Sequence, residues 1–282
     1  MSRCERPAVH LPKAPEQKTE KERIAELLQT VSASRLNCWL QCRLKFYFRY
    51  VLNIQKPPTP ALHYGKVIHA VLQHWNWARW RKEPFSISRF KRSFVQSWRE
   101  IQADAVIDWE GEEKKQRRSA WSALQVFFME TPIKADEKPE AVEVAVETEL
   151  PGLPKLVGVI DLVRAGGRIV DFKTSGKTPD AELAGHQHEL QTSAYAVMYR
   201  DATGRREGGV ELHHLVKTKQ PKLIITNAGP MTPRQELRLM RVIESYAAGV
   251  ERKDFVPSPG FGCAGCEYFQ ECRKWCGKDS GG

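Results

Sequence analysis

The chain has 282 residues, with 44 Lys and Arg against 34 Asp and Glu, a formal net charge of +10 and 41% hydrophobic residues. That length carries one large domain or two small ones with a substantial core. The positive excess favours a polyanionic partner, nucleic acid first, although charge alone leaves open a merely soluble basic protein. No stretch approaches the ~18 consecutive apolar residues of a membrane span. The N-terminus, MSRCERPAVHLPKAPEQKTEKER, lacks an apolar signal core, and a cytoplasmic location is expected. Seven cysteines, odd in number and clustered, suit metal binding better than a disulfide framework.

Residues 1–20 read as a tail. Lys21 to Thr30 predicts a short amphipathic helix with Ile24, Leu27 and Leu28 on one face. Ser32 or Ser34 offers an N-cap for a helix over about 35–50, RLNCWLQCRLKFYFRY. It carries Cys38 and Cys42 one turn apart, then Arg43, Lys45, Phe46, Tyr47, Phe48, Arg49 and Tyr50. Such interleaving suits base stacking with phosphate contact, or a core helix with snorkelling cations. Lys56-Pro-Pro-Thr-Pro60 is a break, and Gly65 opens the helix GKVIHAVLQHWNWARW with His69 near its start. By itself a single His on an apolar helix reads as a satisfied core or surface residue. Over 86–130, Phe90, Phe94, Trp98, Ile101, Trp121, Leu124, Phe127 and Phe128 recur at helical spacing and predict the core of an inserted helical subdomain. Its basic clusters, Arg89–Arg92 and Lys114–Arg118, read equally as a DNA path or as solvated faces.

From Ala141 the period changes to two, and AVEVAVETEL predicts a strand with one wet face. Glu147 and Glu149 read as acidic gatekeepers of an edge strand, with approach to a metal site as the alternative. Residues 157–163 and 168–172 form two short apolar strands joined at Ala165-Gly166-Gly167. Into this ribbon the sequence sets Asp161, Asp171 and Lys173, the last two on one face. Buried charges need partners or a metal. The residues alone also permit a buried Asp–Lys pair, with Asp161 capping a turn. Thr178-Pro179 starts a helix to about Arg200, with Gln191 and Tyr195 one turn apart. Val210 to Thr218 and Lys222 to Thr226 predict two more strands, and Pro233 to Lys253 a long helix. The C-terminal CAGCEYFQECRKWC is a metal-ligand pattern whose local reading is tetrahedral Zn2+ on Cys263, Cys266, Cys272 and Cys276. Disulfides are the remaining alternative.

In this order the motifs resemble the PD-(D/E)XK nuclease superfamily. The similarity is to its RecB-like branch with an iron–sulphur cluster, as in CRISPR-adaptation nucleases and AddB-type nuclease domains. The matching elements are S-x-S-x-L from Ser32, G-x-x-x-H ending at His69, G-V-I-D ending at Asp161, the I-V-D-F-K-T strand with Asp171 and Lys173, and Q-x-x-x-Y with Gln191 and Tyr195. The resemblance runs from about Ser32 to Cys272. It implies an α/β fold with a restriction-endonuclease-like core: a central mixed sheet flanked by helices, with a helical insertion and a C-terminal cysteine cluster. Residues 1–30 would be tail and short helix, and 31–282 a single nuclease domain. That domain divides into N-terminal helices (31–80), insertion (81–140), catalytic core (141–256) and cysteine cluster (257–282).

The resemblance further implies a metal-dependent deoxyribonuclease, an exonuclease on DNA ends or single strands. His69, Asp161, Asp171 and the Phe172 carbonyl would hold one or two Mg2+ or Mn2+ ions. Lys173 would orient or deprotonate water, Gln191 would hold the lysine or a ligand, and Tyr195 would contact phosphate. A [4Fe–4S] cluster would sit on Cys42, Cys263, Cys266 and Cys272, leaving Cys38 and Cys276 spare. The sequence has no G-x-x-x-x-G-K-[ST] motif, so unwinding would need a partner helicase; DNA-repair or CRISPR-adaptation proteins are the other implied partners. Two different readings stay open at this point: a non-catalytic DNA-binding or scaffold subunit, and a zinc-ribbon nucleic-acid binder.

Overall fold

The Ala165-Gly166-Gly167 turn closes a hairpin between β3 (Lys155–Arg164) and β4 (Arg168–Ser175). Gly166 and Gly167 have φ of 77° and 69°, the left-handed conformation a tight hairpin turn requires and a side chain resists. The Glu140 carboxylate accepts both of their backbone N–H groups, at 2.9 and 3.2 Å. The structure is a computed structural model and describes residues 18–103 and 106–277. The expected tail therefore lies largely outside the described residues.

Around this hairpin a six-stranded mixed sheet runs in the order β1-β3-β4-β5-β6, with β2 also paired to β3. The other strands are β1 (Thr30–Val31), β2 (Ala141–Thr148), β5 (Val210–Val216) and β6 (Lys222–Ala228). β4 and β5 are parallel, joined as parallel strands must be by a crossover, here α7 (Ala181–Gln187) and α8 (Glu189–Thr203). One face packs on α8, α1 (Glu20–Gln29), α2 (Ala33–Gln41) and α9 (Pro233–Glu251), burying Trp39, Ile160, Ile169, Met198 and Tyr246. The other packs on α4 (Pro60–Trp80), α5 (Ile87–Ala103) and α6 (Glu113–Glu130), burying Ile68, Trp75, Phe90, Phe127, Leu162 and Phe172. The periodic aromatics of 86–130 are thus a packed core over the sheet.

Two irregularities in the sheet decide where the site lies. β3 pairs along one edge with β2. On its other edge it pairs with β1 at Lys155 and Leu156 and with β4 from Leu162 onward. Residues 157–161 have no strand neighbour there, and the sheet opens. The second irregularity is a loss of alternation. Val142 and Leu162 face α4–α6, whereas the next pairs in register, Val144 and Ile160, face the opposite side. Residues two apart on a regular strand share a face. The reversal falls at Glu143 and Asp161, the interrupted position between those pairs, where Glu143 has a φ of 47°.

Three expected elements are divided or extended. The helix over 35–50 breaks at Cys42, whose backbone is extended with φ of −166°, separating α2 from α3 (Arg43–Phe46) and a π-helical turn at Tyr47–Val51. The break turns the Cys42 sulphur to accept from the N–H groups of Lys45 and Ser258. The helix expected at Gly65 begins earlier, at Pro60, because Thr59 caps the N–H of Leu62 and Pro60 suits the first turn. The helix after Pro179 divides at His188 into α7 and α8.

The basic-aromatic stretch 43–50 is not a stacking surface. Phe46 and Phe48 are buried. Arg43 pairs with Asp254, Lys45 and Arg49 pair with Glu267, and Lys56 pairs with Glu271. These contacts bind the first helices to the C-terminal segment, which contains a 3-10 turn at Phe261–Gly265 and α10 (Phe269–Trp275). No helix among the described residues is long and apolar enough to cross a membrane.

Candidate active site

At the opening in the sheet the hairpin acids meet residues from both helical layers. Asp161 Oδ2 accepts the backbone N–H of Phe172 at 2.9 Å and lies 3.4 Å from His69 Nδ1 on α4. From the other face, α8 presents Gln191 and Tyr195 to Asp171. Gln191 Nε2 donates to Asp171 Oδ1 at 3.1 Å, and the Tyr195 hydroxyl donates to the same oxygen at 3.3 Å. Lys173 Nζ donates to Gln191 Oε1 at 2.7 Å and stands 2.7 Å from Asp171 Oδ2. That last contact is a close ion pair without hydrogen-bond alignment, so Asp171 Oδ2 remains a buried oxygen with no hydrogen-bond partner. Gly158 makes this packing feasible, because a Cβ there would stand 2.8 Å from Met198 Cε and 3.7 Å from the Tyr195 ring.

The electrostatics are those of a desolvated anionic centre. Burial raises the Asp171 pKa, against the pull of Lys173. Burial would lower that of His69, but its contacts with Asp161, Asp171 and Glu143 outweigh this and hold it above the usual imidazole value. Glu143 is pushed up to about 7 by burial first and then by Asp161. His69, Glu143 and Asp161 each bring a ligand atom within 4.8 Å of the others, the one such group of three among the described residues. A divalent cation fits this donor set, an imidazole with carboxylate oxygens, beside Asp171, whose Oδ2 lacks an aligned hydrogen bond.

The sequence profile of the PD-(D/E)XK nuclease superfamily matches residues 30–273. The chain belongs to the PD-(D/E)XK nuclease superfamily. Among solved structures, a proposed exonuclease from Eubacterium rectale superposes with a TM-score of 0.59 at 14% identity, covering 90% of this chain and 93% of that chain. An alkaline exonuclease from Laribacter hongkongensis matches with a TM-score of 0.31 at 11% identity, over 91% of this chain and 99% of that chain, which is too distant to carry an argument. No curated protein sequence matches the chain significantly. The first likeness shows a shared fold, and the profile shows the family.

In this member of the superfamily His69, Asp161, Asp171, Lys173, Gln191 and Tyr195 converge on one opening. Phe172 contributes its N–H to Asp161, and its ring stacks edge-on to His69, Phe127 and His213. Tyr195 departs from the phosphate contact expected of it: it is buried, and its hydroxyl is bonded to Asp171 and Gln191. Glu147 and Glu149 pair with Lys155 at the surface, as the gatekeeper reading has it. The acid of β2 that reaches the site is Glu143, which the sequence did not single out. Its only signal, a Glu in a Val–Glu alternation, is shared with its exposed neighbours; the left-handed backbone that turns it inward has no residue signature. His214, in register with Lys173, and His188 were likewise unassigned and lie with ring centroids 6.0 Å apart. His74 bonds to Ser93 away from the site.

The cysteines gather elsewhere. Cys42, Cys263, Cys266 and Cys272 line a cavity of about 390 Å³ beside Phe48 and Tyr268. Cys38 is buried in the main core and Cys276 is exposed, so neither lines it. None of the six described cysteines is paired in a disulfide. Burial first, then Cys276, Cys42 and Cys263, push the Cys272 thiol up to about 11.

Proposed function

We propose that the chain is a divalent-metal-dependent deoxyribonuclease that hydrolyses phosphodiester bonds at DNA ends or in single strands. The observation that carries this reading is the convergence of Asp161, Asp171 and Lys173 beside His69 at the opening between β3 and β4. Asp161, Asp171, His69 and the Phe172 carbonyl would hold Mg2+ or Mn2+. A bound cation of this kind supplies charge neutralisation at the phosphate and a lowered pKa for water in its shell.

The remaining chemistry belongs to the chain. Lys173, fixed between Gln191 and Asp171, would orient the attacking water, take part in its deprotonation and stabilise the charge developing on phosphorus oxygens. Gln191 and Tyr195 would fix the Asp171 carboxylate and, through it, the lysine. Burial of Asp171 excludes solvent from the carboxylate and strengthens every charge interaction there.

Beside Gln191 and Tyr195 a cleft of about 590 Å³ opens onto Ser32, Ser34 and Val157–Val159. Its size suits a nucleotide unit, in keeping with a splayed strand rather than a stacked duplex. The exposed cations Lys91, Arg92 and Arg99 of α5, and Lys114 and Arg118 of α6, would attract the DNA backbone. The fold shared with the Eubacterium rectale protein is in keeping with action at ends.

The cysteine cavity suits a [4Fe–4S] cluster better than zinc. The local zinc reading needs Cys276, which does not line the cavity, whereas Cys42, Cys263, Cys266 and Cys272 all do. A cluster on these four would join the helix start at Cys42 to the C-terminal turn.

Incubating labelled single- and double-stranded DNA with Mg2+ or Mn2+ tests the reading. Wild type is expected to cleave, and Asp171→Asn and Lys173→Ala to lose activity by at least about 100-fold with the fold intact. Full activity in either folded variant refutes the assignment.

A further inference from the structure

The stretches 172–179 and 212–222 carry β4 and β5 to their carboxyl ends, and they hold Lys173, Lys177, Lys217, Lys219 and Lys222 but no acid. Because the two strands are parallel, these cations gather at one end of the sheet. Lys217 differs from the other lysines drawn out of solvent. Lys45, Lys56, Lys155 and Lys173 are also half-buried, and each pairs with a carboxylate. Lys217 Nζ forms no hydrogen bond or ion pair with any described residue and stands over the Tyr64 ring, 4.5 Å from its centroid. Burial lowers its pKa, and no carboxylate opposes that. A desolvated cation without a counter-charge is costly unless an anion serves it.

We propose that Lys217, with the Thr174 hydroxyl, binds a backbone phosphate of the DNA strand one or two nucleotides from the bond that is cleaved. The inference rests on the nuclease reading and deepens it. Both residues lie against the same turn of α4. Lys217 stands over Tyr64, and a Cβ on Gly65 would rest 3.5 Å from Thr174 Oγ1. Gly65 therefore leaves uncovered a half-exposed hydroxyl that is bonded to no described residue. The lysine is fixed at both ends of its surroundings. Its backbone N–H donates to the Ser175 carbonyl at 2.8 Å, and the buried Tyr64 beneath it donates its hydroxyl to the Ser119 carbonyl at 3.4 Å. His69 follows Gly65 by one turn of α4, about 6 Å by helical rise. At a rise of ~3.4 Å per nucleotide, that separation spans one or two nucleotides.

Charge is the second argument. Glu143, Asp161 and Asp171 gather at the opening and repel a phosphodiester, so affinity for the strand has to come from contacts beyond them. Lys173 is already paired with Asp171 and Gln191, whereas Lys217 has its charge to spare. An ammonium acts on phosphate as a point charge, and a hydroxyl donates to the same oxygens. A purely structural role fits less well. A lysine kept for stability is paired, as the other half-buried lysines are, and contact with a tyrosine ring returns little of what desolvation costs. The exposed Lys177, Lys219 and Lys222 add a positive field around Lys217 that draws the backbone to it.

Fluorescence anisotropy of a labelled single-stranded oligonucleotide tests the proposal, with Mg2+ present and Asp171→Asn as the parent so that the strand survives. Lys217→Met keeps a stem on Tyr64 and removes the charge. Added to the parent, it is expected to weaken binding about 5–10-fold and to flatten the slope of log K against log salt by about 0.7, the value for one phosphate contact on a single strand. Lys217→Arg is expected to retain both. Uncharged methylphosphonate linkages, placed singly along the strand, are expected to reveal one position within about two nucleotides of the bond that wild type cleaves. There the parent loses affinity and Lys217→Met loses nothing further. The urea midpoint of Lys217→Met is expected to equal or exceed that of the parent, because a desolvated charge has gone. Unchanged affinity and slope in Lys217→Met, or a lowered urea midpoint with DNA binding intact, overturns the phosphate site and leaves the nuclease reading standing. If the parent binds no DNA and wild type cleaves none, both fall.

Discussion

Phe172 donates its backbone N–H to Asp161 across the point where β3 and β4 part. One acid therefore has two tasks: it completes the hydrogen bonding of the strand that carries Asp171 and Lys173, and it faces His69. Asp161→Asn keeps an acceptor for that N–H and is expected to fold with near wild-type stability while losing cleavage. Asp161→Ala leaves a buried donor unpaired and is expected to cost a further 1–3 kcal/mol or so. Urea titration of both variants checks the difference; equal stabilities would remove the structural task.

Gln191 is bonded to Lys173, Asp171 and Tyr195 at once. Gln191→Ala frees the lysine without removing it. The expected result is a fall in kcat of about 10–100-fold with little change in KM, since the loss is of orientation and not of DNA contact. Tyr195→Phe, which leaves the Gln191 bonds to Lys173 and Asp171 in place, is expected to be milder. A change confined to KM in Gln191→Ala would assign that side chain to substrate binding.

The cavity thiols predict a spectroscopic result. Anaerobically purified protein is expected to be brown and to contain iron. Cys266→Ser is expected to lose both colour and stability, because the cluster ties segments far apart in the chain. Cys276→Ala is expected to keep its iron, as Cys276 lies outside the cavity. Zinc without iron on elemental analysis would contradict the cluster.

Acid should weaken the fold through the imidazoles beside Lys173. Burial first, then the lysine, lowers His214 and brings His188 from 6.5 down to about 4. Between these values the unfolded chain binds a proton at His188 that the folded protein does not, so stability falls as the pH drops from 6.5 toward 4. His188→Asn removes the mismatch. Its urea midpoint is expected to fall less than that of wild type between about pH 7.5 and 5, and identical slopes would exclude the effect.

The parts of this molecule legible in its sequence are those with a local signature. The hairpin announced itself through two glycines between Val-rich runs, and the Gln191–Tyr195 face through helical spacing. Asp171 and Lys173 were paired by strand alternation, and the structure keeps them paired. What escaped depends on tertiary context. Glu143 reads like Glu147 until a left-handed residue turns it inward. The helix through Cys42 looks continuous until the C-terminal turn gives that sulphur something to face. The phosphate contact of Tyr195 came from the resemblance alone, and the buried hydroxyl meets Asp171 and Gln191 instead.

The salt links from Arg43, Lys45, Arg49 and Lys56 to Asp254, Glu267 and Glu271, with the Tyr268 hydroxyl bonded to the Ile54 carbonyl, lock early segments onto late ones. Severing the backbone between α5 and α6 would therefore cut the polypeptide without parting it. The two fragments carry complementary halves of the catalytic set, His69 on one and the hairpin on the other. Co-expressed pieces split at that junction are thus a natural format for a nuclease that works only when reassembled.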